Sequence, residues 1–326
     1  MRALLCKVHG LPESLVIEEV PAAVAGPGQV VVRIEAAGVN FPDALIIQNK
    51  YQLKPALPFI PGAEMAGIVT ALGPGVTRFR VGDAVCGVVS VGAFAEEIAV
   101  DAGKLVALPT GAPLDIASAF ILAYGTSHHA LTDRASLTAG QTLLVLGASG
   151  GVGLAAVEIG KLIGARVIAC ASSAAKLAVC VRHGADATID YSTENLRERV
   201  KALTNGNGAD VIYDPVGGEY AEPALRSIAW RGRYLVVGFA NGEIPKIPLN
   251  LALLKGCSIV GVFWGGFVGH EPQTAVAAIT ELFQWLAAGK LKPEISARYA
   301  LADAPKALRA MMDRKVTGKI VILPQA

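Results

Sequence analysis

The sequence is poor in charge and has no organised cysteine. Only 17% of its 326 residues are Asp, Glu, Lys or Arg, and the formal net charge is +2. There is no basic stripe or arm, which argues against a nucleic-acid surface. Five cysteines (Cys6, Cys86, Cys170, Cys180 and Cys257) are scattered, and none forms Cys-x-x-Cys. That scatter argues against a disulfide framework and against zinc, and it fits a reducing cytoplasm. The start, Met1 to Val8, reads as a short strand and lacks the apolar core and cleavage site of a signal peptide. Internal repeats and low-complexity segments are also missing. Charge is absent from Ala135 to Val157, the pattern of a membrane span. The glycines in its middle, with Ser136, Thr138, Gln141 and Thr142, point instead to a buried strand, turn and helix.

What is present is apolar: 53% of the residues are hydrophobic, and the length suffices for two domains with a large core. Two textures follow one another. Up to about residue 120, short alternating runs such as Gln29–Ala36, Ala66–Leu72 and Ala93–Val100 are broken by Gly and Pro, as in an antiparallel barrel-like domain. From about residue 140, strands alternate with helices. Strands are expected at Thr142–Leu146, Arg166–Ala171, Ala187–Asp190, Asp210–Asp214, Tyr234–Gly238 and Ser258–Phe263. Helices are expected at Ala174–His183 and Thr193–Leu203. This is the rhythm of an α/β, doubly wound parallel sheet, with ligands at the carboxyl ends of its strands. The tail, with helices near Ala275–Ala288 and Pro305–Lys315 and a last strand Lys319–Leu323, is expected to return to the first domain. The expected division is residues 1–122 completed by 266–326, and 123–265.

The densest signal is Leu143 to Val157, an apolar run, a glycine cluster and a helix-compatible run. Ala148, Ser149, Gly150, Gly151, Val152 and Gly153 read A-x-G-x-x-G, the dinucleotide fingerprint with alanine at its first position. Glycines there let a pyrophosphate approach bare N–H groups at a helix start, where the helix dipole favours the anion.

An NAD site wants a carboxylate on the ribose, about 20 residues beyond the glycines. The second strand instead ends Cys170-Ala171-Ser172-Ser173, and Lys176 follows one turn later. A hydroxyl and an ammonium suit a 2′-phosphate, so NADPH is the expected cofactor. On the other reading, Ser172 and Ser173 cap the next helix and Lys176 is solvated.

Several further motifs occur in order: Ala37-Gly38-Val39-Asn40-Phe41-Pro42-Asp43, Pro61-Gly62-Ala63-Glu64, Val81-Gly82-Asp83-Ala84-Val85, Tyr124-Gly125-Thr126, Tyr213-Asp214-Pro215-Val216-Gly217-Gly218 and Gly318-Lys319-Ile320-Val321. With the glycine loop they make nearly the whole chain resemble the zinc-free NADPH:quinone oxidoreductases, the zeta-crystallin-like family of the medium-chain dehydrogenase/reductase superfamily. The resemblance implies a GroES-like, β-barrel-type catalytic domain split around a Rossmann domain, with the active site in the cleft, and it implies a homodimer. Asn40 and Ala63 stand where the zinc alcohol dehydrogenases of the superfamily have Cys and His, and the four-cysteine lobe is missing. No metal is therefore expected, since a zinc site needs three or four protein ligands.

By the same resemblance, Asn40 and Tyr51 are the catalytic candidates, donating hydrogen bonds to a carbonyl oxygen as it gains charge. Leu45 or Ile46 replaces a second tyrosine often found nearby. Thr126 touches the nicotinamide ribose or diphosphate. Ser172, Lys176 and Tyr191 surround the 2′-phosphate and adenosine. Gly238, Phe239, Phe263 and Trp264 border the nicotinamide. Alternatives stand beside these roles: Asn40 as a turn residue, Tyr51 as a loop aromatic, Trp264 as core. His128 and His129 are read as helix residues of the domain junction or as a proton relay.

The expected partner is a small hydrophobic electrophile. A quinone is the leading acceptor; an enone, alkenal or enoyl thioester reduced at C=C is the alternative. A non-catalytic NADPH-binding protein is a reading of another class. The absence of Tyr-x-x-x-Lys disfavours a short-chain dehydrogenase. An edge strand such as Ser258–Phe263 offers a two-fold pairing surface.

Overall fold

A computed structural model describes all 326 residues. The chain divides into two compact units, Met1–Leu122 with Ile295–Ala326, and Ala123–Glu294. Its first stretch holds β1 (Arg2–Leu5), β2 (Val16–Glu19), β3 (Gln29–Gly38), α1 (Phe41–Ile46), β4 (Glu64–Leu72), β5 (Ala84–Val88), β6 (Glu97–Asp101), β7 (Leu105–Ala107) and α2 (Leu114–Ala117). Then follow α3 (Ile121–His128), β8 (Thr142–Val145), α4 (Gly151–Ile163), β9 (Arg166–Ala171), α5 (Ala174–Arg182), β10 (Ala187–Asp190), α6 (Leu196–Leu203), β11 (Ala209–Asp214), α7 (Ala221–Arg226), β12 (Ile228–Val236), α8 (Asn250–Lys255), β13 (Ser258–Gly261), α9 (Trp264–His270) and α10 (Pro272–Ala287). The tail is β14 (Ile295–Ala300), α11 (Ala304–Met312) and β15 (Lys319–Leu323).

The first unit is built on a seven-stranded sheet in the order β14-β15-β3-β4-β5-β7, with β6 also on β3. All of these pairings are antiparallel except β14 with β15. Val30, Val32 and Ile34 of β3 are fully buried and meet Met65, Phe94 and Leu308 in one apolar core.

The second unit carries six parallel strands in the order β10-β9-β8-β11-β12-β13. Leu143, Leu144, Val145 and Leu146 are fully buried, as expected of a parallel strand covered on both faces. The strand order reverses at β8, which places a ligand crevice at its carboxyl end. No helix is long and apolar enough to cross a membrane. The uncharged stretch before Val157 contains β8, the glycine turn and the start of α4.

Several expected boundaries move. Residues 266–294, expected in the first unit, pack in the second. The cause is side-chain packing: His129 stacks on Phe267 at 4.1 Å, and the His128 ring lies 5.5 Å from Trp285. The strand expected at Tyr234 starts at Ile228, and α6 starts at Leu196 because Asn195 Oδ1 accepts the Glu198 N–H at 3.1 Å. The run Ala93–Val100 yields only β6, since Ala95 bridges to Ala3 of β1 instead. Strand β14 was not expected, although Ile295-Ser296-Ala297-Arg298-Tyr299 alternates apolar and polar residues; it forms as a half-exposed edge paired with β15.

Candidate functional site

In the second unit the turn after β8 is tied to both neighbouring strands. Leu146 N–H donates to Tyr213 O at 3.0 Å, and Ala148 N–H donates to Cys170 O at 2.9 Å. Helix α4 then starts, with Gly150 as its cap, and its first internal bond runs from Leu154 N–H to Gly150 O at 2.8 Å. The N–H groups of Gly151, Val152 and Gly153 thus lie ahead of the helical ladder. A β-carbon at Gly153 would sit 2.3 Å from Gly147 O, so this glycine lets the helix press on the turn. A β-carbon at Gly150 would meet only Gly147 O, at 3.5 Å, so that face is open. The geometry fits an anion received on backbone N–H groups. Ala148 and Ser149 are buried beneath it. Thr126 joins the group through its neighbour: Ser127 Oγ donates to Val152 O at 2.8 Å and is 2.8 Å from the Tyr213 hydroxyl.

On the β9 side, Ser173 caps α5 by accepting the Lys176 N–H at 3.4 Å, while Lys176 Nζ donates to Ser172 Oγ at 3.2 Å. Capping and ammonium placement therefore coexist on adjacent serines. Ser192 Oγ reaches Ser172 O at 3.4 Å, and the Tyr191 ring lies 4.3 Å from that of Tyr220. The nearby Asp190 carboxylate is taken up locally by Ser192.

On the β12 side, the loops after β11 and β12 are laced together, with Ala240 N–H on Pro215 O at 3.0 Å and Asn241 N–H on Val216 O at 2.8 Å. Gly238 and Phe239 are half-buried there. Phe263 is 59% exposed, whereas Trp264 is 7% exposed and packs on Gly125. Of the three aromatic residues expected at the nicotinamide, Phe239, Phe263 and Trp264, the last therefore turns inward. Apart from Thr126, which lies in α3, the other expected cofactor residues of this unit follow the carboxyl ends of β8, β9, β10, β12 and β13.

In the first unit, Asn40 sits in a buried polar cluster. Lys319 Nζ donates to Asn40 Oδ1, to Val39 O at 3.0 Å and to Glu64 Oε2 at 3.5 Å. Asn40 Nδ2 donates to Glu64 Oε2 at 3.2 Å and to Gly38 O at 3.3 Å. Glu64 Oε1 accepts the Leu122 N–H at 2.8 Å. Asn40 was expected to donate to a substrate carbonyl, but both ends of its amide are engaged internally. Asp43 accepts the Asn40 N–H at 2.8 Å, and burial raises its carboxyl to about 7, against the pull of that N–H and of Lys319. Tyr51, half-buried after α1, has its phenol raised first by burial and then by the Asp43 charge.

Sequence reasoning assigned no role to Asp43 or Lys319. An acid three residues after Asn40, where a capping box places one, was the available signal for Asp43. Lys319 had none, since its partners lie up to 280 residues away. No group of three His, Cys, Asp or Glu side chains has the arrangement to hold a metal ion.

The family model described as Zinc-binding dehydrogenase matches residues 151–281, and the one described as Alcohol dehydrogenase GroES-like domain matches residues 26–110. A quinone oxidoreductase-like protein 2 homolog of Nematostella vectensis is 42% identical over 325 residues, covering 98% of this chain and 88% of that protein. The chain belongs to the zinc-free quinone oxidoreductase family of the medium-chain dehydrogenase/reductase superfamily. Solved quinone oxidoreductases superpose over nearly all of it. That of Pseudomonas syringae pv. Tomato DC3000 has a TM-score of 0.93 at 34% identity, covering 99% of both chains. That of Escherichia coli, complexed with NADPH, has a TM-score of 0.92 at 28% identity, covering 99% of this chain and 100% of the other. The second unit is the Rossmann part of this family's fold, and the first contains its GroES-like part.

Proposed function

We propose that the protein is an NADPH-dependent reductase that passes a hydride to a quinone without a metal. The observation that carries the cofactor choice is the Lys176 ammonium, 3.2 Å from Ser172 Oγ at the end of β9. A 2′-phosphate about 4 Å from that charge gains about 1 kcal/mol per unit charge in water and about 4 at an effective dielectric of 20. The E. coli relative's complex with NADPH supports the same choice.

The cofactor, when bound, supplies the hydride chemistry. In this reading the residues of the chain hold and polarise. The N–H groups of Gly151, Val152 and Gly153 receive the pyrophosphate over the open face of Gly150, with Ala148 and Ser149 packed below. Ser172, Lys176 and Tyr191 take the 2′-phosphate and adenosine. Thr126 contacts the ribose or diphosphate on the nicotinamide side. Gly238, Phe239 and Phe263 border the nicotinamide, and Trp264 backs Gly125 from within. Tyr51, whose phenol keeps its proton, donates to the acceptor oxygen as charge develops there. Asn40 serves by positioning, because its amide belongs to the Lys319 and Glu64 network. The quinone assignment rests on the names of the relatives. The five free thiols suit a reducing cytoplasm, and pairing of β13 across a two-fold axis gives a homodimer.

Lys176→Ala tests the cofactor choice. Its KM for NADPH is expected to rise about tenfold or more while that for NADH stays nearly unchanged. Equal effects on both remove the phosphate assignment. NADPH consumption with quinones, alkenals, enones and enoyl thioesters side by side tests the acceptor. Turnover confined to the last three replaces quinone reduction with C=C reduction.

A further inference from the structure

We propose that Asp214 is the positioning residue for the nicotinamide half of the cofactor site, holding the loop after β11 against the loop after β12, whose Gly238 and Phe239 border it. The proposal rests on the NADPH reading above. The strand order supplies the polarity: with the pyrophosphate at β8 and the 2′-phosphate toward β9 and β10, the other half of the ligand lies over β11 and β12.

Asp214 is the last residue of β11, and it organises that edge from both its side chain and its backbone. Its Oδ1 accepts the Val216 N–H at 2.7 Å and the Gly217 N–H at 2.8 Å, which shapes the loop after β11. Its Oδ2 accepts the Tyr234 hydroxyl, which fixes the carboxylate to β12. Its carbonyl accepts the Val237 N–H at 2.9 Å and the Gly238 N–H at 3.3 Å, which steers the chain out of β12. The two loops then zip together through Pro215 with Ala240, Val216 with Asn241, and Gly218 N–H on Glu243 O at 3.1 Å. Asp214 is 3% exposed, so its carboxylate acts through these groups and not through solvent. None of its bonds reaches Ser172, Lys176 or Tyr191. Loss of the carboxylate therefore loosens one end of the cofactor site and spares the other.

The test compares NADPH with 2′,5′-ADP, which carries the 2′-phosphate and adenosine but no nicotinamide. Both are titrated calorimetrically into the wild type and the Asp214→Ala, Asp214→Asn and Tyr234→Phe variants. In Asp214→Ala the Kd for NADPH is expected to rise about tenfold and that for 2′,5′-ADP to stay within about twofold. Asp214→Asn keeps an acceptor oxygen for Val216 and Gly217 and should restore most of the loss. Tyr234→Phe should show the same selectivity at about threefold, and it carries the test if Asp214→Ala fails to fold. Parallel weakening of both ligands, or no weakening of either, overturns the role of Asp214 while leaving the NADPH reading intact. A wild type that binds neither ligand overturns both.

Discussion

The indole of Trp264 occupies the space that a side chain at position 125 would need. A β-carbon on Gly125 would lie 2.6 Å from Trp264 Cζ2. This explains the glycine inside α3, where glycine is otherwise unfavourable by about 1 kcal/mol relative to alanine. It also ties the Tyr124-Gly125-Thr126 segment to α9, so that a residue expected at the ligand instead sets the depth of the helix beside it.

Gly125→Ala therefore opposes two effects. Helix propensity favours alanine by about 1 kcal/mol, and overpacking costs about 1–3 kcal/mol. The packing term wins, and we expect a lower denaturation midpoint together with a change in tryptophan fluorescence. Trp264→Leu in the same chain should recover stability relative to Gly125→Ala alone. A midpoint at or above the wild type would show that the ring yields freely.

Lys319 neutralises Glu64 where neither side chain meets solvent, at 4% and 0% exposure. Lys319→Met leaves the carboxylate with Asn40 and Leu122 but without its counter-charge, and strands Asn40 Oδ1. Breaking one partner of a buried pair costs about 3–5 kcal/mol. Adding Glu64→Gln should return a large part of that loss. Urea denaturation of the single and double variants decides it; a single variant within about 1 kcal/mol of wild type would remove Lys319 from the cluster's energetics.

How far this site was legible depends on how local its causes are. The turn Gly147–Gly153 and the cap at Ser173 are written within a few residues, and the sequence pattern announced both; the bond from Lys176 to Ser172 is equally local but was not foreseen. Lys319 meets Asn40 only when β15 is laid on β3, so no pattern could announce it. Trp264 looked equally suited to core or site because an aromatic after a strand serves both; only the missing side chain at Gly125 tells them apart. Asp214 was visible within a motif, but its work depends on Tyr234, twenty residues on. The assignment of 266–294 failed for the same reason, since the partners of α9 and α10 at His128 and His129 are remote in sequence.

Asp43 should imprint a pH dependence on stability. Burial raises its folded carboxyl from the ordinary value to about 7. A carboxyl that holds its proton more tightly when folded contributes stability fully below about pH 4, and that contribution is lost as pH rises toward 7. Asp43→Asn keeps the acceptor for the Asn40 N–H and removes the titration. Its stability difference from wild type is expected to shift between pH 4 and 7 in favour of the variant as pH rises. Parallel stability curves for the two proteins across that window would refute the assignment.

The edge of the Rossmann sheet carries the most demanding prediction. Strand β13 pairs with no strand but β12; on its outer edge Gly261 O accepts Arg134 Nε at 3.2 Å. Beside it, α8 exposes Leu253 at 78% and Leu254 at 64%, and the exposed Trp230 ring lies over Gly256 at the end of that helix. Ile259 continues the apolar surface onto the strand itself. In the proposed homodimer a two-fold axis would pair β13 with its twin and bury the exposed apolar face of α8 against it. A stable dimer needs about 800 Å² buried per partner, and charge placed at its centre is costly. Sedimentation is expected to give two chains for the wild type and one for the Leu253→Glu, Ile259→Glu double variant, with folding retained because both positions face outward. A single-chain mass for the wild type rules out the pairing, and a dimer that survives both glutamates moves the interface elsewhere.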